Sequence, residues 1–349
     1  MKKKINLLFY LFLLLIIGIP LFIWLFHHLG VEEVISRIKI LKGYQLSLII
    51  FIYLLNVIFW SWRWKTVLNL MGIRNVSLGL TIKARAGNIA VNYLTPSSSF
   101  GGEIVRPLVL KKEGSISLKQ GILSVIIDRF LEGLVYAFFL LLSAFILLLK
   151  KQFIWAIFLF FLGCLLGFGF LFILKTKWFF RLLTWFANLS FFRRFSKGIP
   201  QKIEHASQNF LNFFHQRSFS LWICILLSVI CFFCLVLQIE LFLFFVGEDT
   251  SFLNAIVVRT IALLGGFMPI PASVGFYEGA YVLGFSAVGL SAELGFGFSL
   301  ISRFADFILV ALGVILILPY FGELFTLVFK SLINNNGHNH LSRIKKKIS

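Results

Sequence analysis

The sequence predicts an all-helical polytopic membrane protein with about six full spans and two re-entrant hairpins that form an inverted-topology repeat. Three observations support this fold class. Of the 349 residues, 59% are hydrophobic and only 13% are charged, which does not fit a soluble domain with a polar surface. Several apolar runs are long enough to cross a bilayer. A polar segment also occurs twice at nearly constant spacing.

The predicted spans are apolar runs that reach the roughly 20 residues a membrane-crossing helix needs. They lie at about 5–26, 44–62, 120–149, 152–174, 219–246 and 295–319. The first run follows Met-Lys-Lys-Lys, is longer than the core of a signal peptide and has no small-residue cleavage site after it. An uncleaved membrane anchor is therefore favoured.

Basic residues are distributed unevenly among the loops. When the predicted spans are threaded through a membrane, most of the 33 lysines and arginines fall on one side. Cytoplasmic loops carry the excess of positive charge, so we expect a multi-pass protein of the cell (inner or cytoplasmic) membrane with both termini cytoplasmic. The net charge of +19 then reflects topology and attraction to anionic headgroups. No nucleic-acid partner is expected, because no basic soluble module is evident.

The repeated segment runs from 77 to 129 and again from 251 to 303. At an offset of 174 residues, the corresponding pairs are Ser77 and Ser251, Arg85 and Arg259, Ser117 and Ser291, Gly121 and Gly295, and Arg129 and Arg303. One inserted residue shifts the middle to an offset of 175, where the pairs are Pro96 and Pro271, Ser98 and Ser273, and Glu103 and Glu278. Both copies keep the order arginine, proline, glutamate, arginine.

The two copies are predicted to be inverted relative to one another. The first, 77–112, lies between the second and third spans, whereas the second, 251–290, follows an acidic loop on the opposite side. Three spans separate them, and an odd number reverses the direction in the membrane. Each copy is too short and too polar to cross alone and is broken by proline and glycine. We therefore expect hairpins that enter from opposite faces and meet near the midplane.

The hairpin tips contain residue types that bind anions. Proline ends each helix, and helix N-termini beginning near Gly102 and Gly275 would direct free N–H groups inward, where a phosphate or carboxylate can bind. Arginines near the tips suit bidentate phosphate binding. The predicted substrate-binding residues are Arg85, Pro96, Gly101, Gly102, Glu103, Arg106, Arg129, Arg259, Pro271, Gly275, Glu278 and Arg303.

Two interpretations of these charges stay open. A charged group at the bilayer centre costs at least ~2.5–3.5 kcal/mol unless it is paired or solvated. In the structural interpretation, Glu103 with Arg129 and Glu278 with Arg303 form ion pairs that fix each hairpin to its long span. In the functional one, the same groups line a path for an anionic headgroup. The candidates for proton or ion coupling are Asp128, Asp306 and Glu240.

The order of these residues resembles the membrane domain of the lysylphosphatidylglycerol synthase/flippase family. The first half has Asn, Pro, Gly-Gly-Glu, Arg and a later Asp-Arg, and the second half has Pro, Gly, Glu-Gly and Ser-Arg. The resemblance covers roughly 40–320 and implies a stand-alone, flippase-like integral membrane protein. The second loop is poorer in glycine than the family pattern suggests. The aminoacyl-transferring domain of the fused members has no counterpart here, so we do not expect this chain to synthesise aminoacyl lipids.

The predicted domain organisation follows the repeat. Residues 1–64 hold two spans, 65–174 the first repeat, 175–217 a cytoplasmic linker, 218–319 the second repeat and 320–349 a cytoplasmic tail. Within the repeats, the hairpins are 77–112 and 251–290, and the spans are 117–149, 152–174, 219–246 and 291–319. The linker mixes aromatic and basic residues, which is typical of amphipathic helices at the membrane surface. It is either a plain connection or a docking site for a lipid- or glycan-synthesising enzyme.

No catalytic residue, metal site or cofactor is predicted. Cys231 and Cys234 lie inside an apolar run without a third ligand, so a packing role is favoured. The serines of the first tip have no nearby histidine to serve as a base, and no Gly-x-x-x-x-Gly-Lys-Ser/Thr motif is present.

These observations predict a transporter that moves an anionic phospholipid or a polyprenyl-phosphate-linked lipid between leaflets. We expect the phosphate to bind Arg129, Arg303 and Arg106, with Glu103 and Glu278 neutralising them when the site is empty, and access to alternate as one repeat rocks against the other. Two other classes stay open. They are an intramembrane lipid transferase and a non-transporting membrane partner of a lipid- or glycan-modifying enzyme.

Overall fold

The computed structural model describes residues 19–29, 31–95, 101–175, 213, 219–248, 250–268 and 270–320. All regular structure within these ranges is helical, which confirms the predicted all-helical class. The helices are α1 Ile19–His28, α2 Val31–Lys39, α3 Gly43–Leu70, α4 Leu78–Leu94, α5 Val105–Glu113, α6 Leu118–Leu149, α7 Phe153–Lys175, α8 Phe219–Phe245, α9 Phe252–Gly265, α10 Phe276–Ala287 and α11 Ala292–Ile317. Short 3-10 helices cover Gly101–Ile104, Pro271–Ser273 and Leu318–Tyr320.

Long apolar helices make the chain a multi-pass membrane protein. Five described helices, namely α3, α6, α7, α8 and α11, are long and apolar enough to cross a bilayer. They coincide with the second to sixth predicted spans. Only the end of the predicted first span is described, within α1, so the full count of six stays a prediction. The outer surface of the bundle is apolar, as lipid requires; Ile154 on α7, for example, is 85% exposed.

A helical hairpin precedes each of two long helices. The first consists of α4, the 3-10 helix Gly101–Ile104 and α5, and leads into α6; the second consists of α9, the 3-10 helix Pro271–Ser273 and α10, and leads into α11. A serine hydroxyl accepts a backbone N–H at the start of each hairpin and of each long helix. These serines are Ser77, Ser117, Ser251 and Ser291. The serines that correspond in sequence therefore begin corresponding helices.

Each hairpin packs on both halves of the molecule, where the first half is α3 to α6 and the second is α8 to α11. The second helix of a hairpin packs on its own long helix, so that α5 contacts α6 and α10 contacts α11. The first helix reaches the other half, so that α4 contacts α11 and α9 contacts α6. Glycine permits the closest approach. A Cβ atom on Gly313 of α11 would lie 2.2 Å from the carbonyl oxygen of Ala86 on α4.

The helices that precede the hairpins, α3 and α8, pack against each other. The buried amide of Gln238 on α8 donates to the carbonyl oxygen of Ile49 on α3 at 2.9 Å. Helix α7 packs on α6, and the short α2 packs on α11. Most of the predicted linker 175–217 and nearly all of the predicted tail 320–349 lie outside the described residues.

Candidate functional site

A cavity of about 440 Å³ lies between the two halves. Both hairpins and the helices α3, α6, α7, α8 and α11 contribute side chains to its wall, which is largely aromatic and aliphatic. The charged residues of the wall are Arg85, Arg129, Glu132, Arg259, Arg303 and Asp306. Four arginines thus face two carboxylates, so the wall carries an excess of positive charge.

The six charged wall residues form three pairs, and the members of every pair are 174 positions apart. The pairs are Arg85 and Arg259, Arg129 and Arg303, and Glu132 and Asp306. A tyrosine accompanies each carboxylate. Tyr136 donates to Glu132 Oε1 at 3.0 Å, and Tyr53 donates to Asp306 Oδ1. The charged wall therefore has the same composition in each half.

A network of buried and partly buried ion pairs supports the wall in the first half. It consists of Arg63, Arg106 and Arg129 with Glu103, Asp128 and Glu132. Asp128 accepts from Arg63 Nε and from Arg106 Nη2, both at 2.7 Å. Glu132 accepts from Arg129 at 2.6 Å and from Arg63 at 3.2 Å, while Glu103 binds Arg129 and Arg106. Three cations and three anions are neutral together, which makes burial tolerable.

The second half has a single described ion pair at the corresponding place. Arg303 Nε donates to Glu278 Oε1 at 2.6 Å, and Arg303 Nη1 donates to the carbonyl oxygen of Ala272 in the hairpin tip. The guanidinium also lies 4.4 Å from the centre of the Tyr277 ring. Both predicted ion pairs, Glu103 with Arg129 and Glu278 with Arg303, are therefore present, and each joins a hairpin to its long helix.

Arg85 and Arg259 differ from the other arginines of the site. Within the described part of the chain, neither guanidinium forms an ion pair. Arg85 donates to Asn88 Oδ1 at 3.3 Å and lies 4.3 Å from the centre of the Trp60 ring. Arg259 donates to the hydroxyl of Tyr281 at 3.5 Å. The Nε atom of each is buried without a hydrogen-bond partner in the protein.

The amide groups of Gly102 and Gly275, at the hairpin tips, are not free. The N–H of Gly102 donates to Asn92 Oδ1 at 2.6 Å, and the N–H of Gly275 donates to Glu278 Oε2 at 2.7 Å. Side chains of the hairpins thus satisfy both donors. At Gly102 the backbone is also too close to Asn88 for a side chain, since an added Cβ would lie 2.2 Å from the Asn88 carbonyl oxygen.

Other predicted site residues lie away from the cavity wall. Arg106 is buried behind the wall, with its guanidinium 4.1 Å from the centre of the Trp64 ring, and both oxygens of Asp128 are occupied by arginines. Glu240 lies on α8 with a buried Oε2 that has no partner, outside the wall. Gly101 and Pro271 begin the two 3-10 helices of the tips, and Pro96 lies outside the described residues.

Sequence reasoning missed Arg63, Glu132 and the tyrosines of the wall. Glu132 could have been found, because extending the comparison three residues beyond Arg129 and Arg303 aligns it with Asp306. Arg63 has no such signal, since the corresponding position in the second half is Leu237.

Fold and site together define the class: an all-helical, multi-pass membrane protein with a charged cavity between two similarly built halves. The chain belongs to the family described as the lysylphosphatidylglycerol synthase TM region, whose model matches residues 11–313.

Three relatives extend this comparison, and each is called a UPF0104 membrane protein. The protein of Methanocaldococcus jannaschii is 24% identical over 312 residues, covering 85% of this chain and 90% of the relative. That of Methanothermobacter thermautotrophicus is 23% identical over 332 residues, covering 85% and 89%. That of Pyrococcus horikoshii is 33% identical over 133 residues, covering 38% and 39%. No solved structure matches.

Proposed function

We propose that this protein transports an anionic lipid, either a phospholipid or a polyprenyl-phosphate-linked lipid, between the leaflets of the cell membrane, with both termini in the cytoplasm. The supporting observation is the cavity wall, where four arginines and two carboxylates lie inside an apolar helical bundle. Charges at membrane depth are costly and mark substrate or ion pathways. The family's name links its membrane region to a lipid-modifying enzyme, which is consistent with a lipid substrate.

In this proposal the headgroup enters the cavity while the acyl chains remain in the bilayer. The wall suits an amphipathic molecule, because its charged residues can hold the headgroup and apolar residues such as Leu166 and Phe170 of α7 lie beside them. The two halves then rock about the bound headgroup, and the hairpins act as re-entrant gates from opposite faces. Glu132 and Asp306, each held by a tyrosine, are the carboxylates placed to couple a proton or cation to this movement.

A transporter is favoured over an intramembrane transferase by the composition of the wall. Its polar residues are arginines, carboxylates, tyrosines, amides and two serines, and the described wall has no histidine to act as a base beside a nucleophile. Its charges instead suit reversible binding, because guanidinium groups hold phosphate oxygens without reacting with them.

The test is lipid movement in reconstituted vesicles. Purified protein would be placed in liposomes that contain a fluorescent phosphatidylglycerol or a fluorescent polyprenyl phosphate, and a membrane-impermeant reductant would then quench the outer leaflet. Transport predicts a second, slower phase of quenching that protein-free vesicles lack. The double variant Arg85→Gln/Arg259→Gln should lose this phase. Arg74→Gln, at an exposed position in the loop before α4, should retain it and controls for loss of an arginine.

Absence of the second phase with every anionic lipid would refute the proposal, provided that the reconstituted protein is folded. Size-exclusion chromatography before reconstitution and protease protection after it establish folding and orientation. Formation of a modified lipid by the purified chain would instead support the transferase class.

A further inference from the structure

Two arginines at corresponding positions, the buried Arg85 and the partly buried Arg259, have no anionic partner in the described structure. Arg85 on α4 and Arg259 on α9 both line the cavity, and both belong to the first helix of a hairpin. Arg85 is only 4% exposed. Each donates one long hydrogen bond to a neutral side chain, and its Nε atom has no partner among the described residues.

The lack of pairing at these two positions contrasts with every other arginine around the cavity. Arg63, Arg106 and Arg129 each contact two carboxylates, and Arg303 contacts one. A buried cation without a counter-ion is strongly unfavourable. Of the four arginines that line the cavity, Arg129 and Arg303 have carboxylate partners, whereas Arg85 and Arg259 on the first helices of the hairpins have none in the described structure. This distribution divides the arginines of the cavity into an ion-paired group and an unpaired group.

The unsatisfied polar atoms of the wall indicate the chemistry of the ligand. The buried wall atoms without a protein partner are Arg85 Nε, Asn88 Nδ2, Arg259 Nε and Arg303 Nη2. Every one of them is a hydrogen-bond donor, so the complementary ligand presents acceptors. Phosphate oxygens are acceptors and carry the negative charge that guanidinium groups require.

The charge balance of the described cluster indicates how much negative charge the ligand carries. The cluster contains six arginines, which are Arg63, Arg85, Arg106, Arg129, Arg259 and Arg303. It contains five carboxylates, which are Glu103, Asp128, Glu132, Glu278 and Asp306. One positive charge is left over. A phosphodiester carries one negative charge and would neutralise it, whereas a phosphomonoester carries nearly two at neutral pH.

We propose that Arg85 and Arg259 together bind one phosphodiester headgroup, one guanidinium from each half, and that Arg129 and Arg303, which have carboxylate partners, mainly position the hairpins. The assignment of the phosphodiester to a lipid rests on the proposed function, but the binding site does not depend on transport. Because the two arginines occupy corresponding places in the halves, movement of one half against the other changes which guanidinium is closer to the phosphate.

Binding to the purified full-length protein in detergent tests this proposal by calorimetry. The ligands are dioctanoyl phosphatidylglycerol, dioctanoyl phosphatidic acid, which is a phosphomonoester, and inorganic phosphate. Arg85→Gln and Arg259→Gln should each weaken binding of phosphatidylglycerol about tenfold or more, the usual effect of losing a hydrogen bond to a charged group. The double variant should show no saturable binding, and Arg74→Gln should bind as the wild type does.

Affinities of both single variants within about twofold of the wild type would overturn the proposal. Tighter binding of phosphatidic acid than of phosphatidylglycerol would overturn the phosphodiester assignment, and inorganic phosphate binding as tightly as phosphatidylglycerol would overturn the assignment to a lipid. Wild-type protein that binds phosphatidylglycerol through both arginines but moves no lipid in vesicles would refute transport and leave this site standing. Transport that survives in the double variant would refute this site and leave transport standing.

Folding of the variants is measured separately. Removing a buried cation without a counter-ion should leave the thermal stability of the ligand-free protein unchanged or raised. Where a glutamine variant does not fold, Arg85→Lys and Arg259→Lys serve instead, because lysine keeps the charge but lacks the planar fork that binds two phosphate oxygens. These lysine variants should also weaken binding, and wild-type affinity in both would contradict the proposal.

Discussion

The two halves of the molecule share one hairpin-to-helix ion pair but differ in what surrounds it. In the first half, Glu103 and Arg129 belong to a network of six charged groups. In the second half, Glu278 and Arg303 stand without further charged partners in the described structure, because Tyr281 and Ser302 occupy the positions that correspond to Arg106 and Asp128.

The second hairpin also contains a strained backbone segment. The second hairpin tip contains Ala272 and Ser273 with φ of 53° and 48°, a left-handed conformation that residues other than glycine adopt at a cost. Arg303 donates to the carbonyl oxygen of Ala272, so the same arginine that holds the hairpin also holds the strained tip. The first hairpin is thus held by several ion pairs, whereas one arginine, Arg303, forms the described ion pair of the second hairpin and also holds its tip.

The largest expected effect is on the network that only the first half has. Asp128→Asn leaves Arg63 and Arg106 without their shared carboxylate at a fully buried position, and breaking a buried pair costs about 3–5 kcal/mol. Ser302→Ala, at the corresponding place in the second half, should cost less than about 1 kcal/mol. Thermal unfolding in detergent measures both. Equal losses would remove the distinction between the halves.

The next largest effect is expected when the glutamate of either hairpin-to-helix ion pair is replaced. Glu278→Gln removes the one ion pair of Arg303 and should destabilise the protein by about 2–3 kcal/mol. Glu103→Gln should cost about 1 kcal/mol, because Arg129 keeps Glu132 and Arg106 keeps Asp128. The same unfolding assay ranks them. A larger loss of stability for Glu103→Gln than for Glu278→Gln would contradict the view that the remaining ion pairs of the first-half network compensate for the loss of one carboxylate.

A smaller effect is expected at the strained tip. Ala272→Gly relieves the left-handed conformation and should stabilise the protein by about 0.5–1 kcal/mol. Ala86→Gly, within the regular helix α4, should instead destabilise it by about 1 kcal/mol and serves as the control. If Ala272→Gly lowers the unfolding temperature as the control does, backbone strain at Ala272 does not reduce the stability of the protein.

The smallest effect on stability is expected where the two halves match. Arg85→Gln and Arg259→Gln remove unpaired cations, so neither should lower the free energy of unfolding by more than about 0.5 kcal/mol, while each should weaken lipid binding about tenfold or more. A loss of stability comparable to that of Asp128→Asn would show that these arginines are structural, and the halves would then differ in more than their ion-pair networks.

The sequence predicts much of this arrangement, but unevenly. Long apolar runs and capping serines place the helices, and the constant offset pairs Glu103 with Arg129 and Glu278 with Arg303 because those contacts follow from a hairpin folding back on the next helix. The role of Arg63 depends on how α3 packs on α6, which local pattern does not encode. The occupied amide groups of Gly102 and Gly275 depend on side-chain rotamers of Asn92 and Glu278, which spacing along the chain does not determine.

The packing of α4 on α11 has a consequence for biosynthesis. The helix that carries Arg85 meets its final neighbour only after every helix from α5 to α10 has been made. Until α11 has been made, the charged hairpin lacks this neighbour, and an insertase or chaperone can shield it from lipid. A nascent chain that stalls before α11 should therefore be a substrate for membrane quality control, even though its earlier spans are complete.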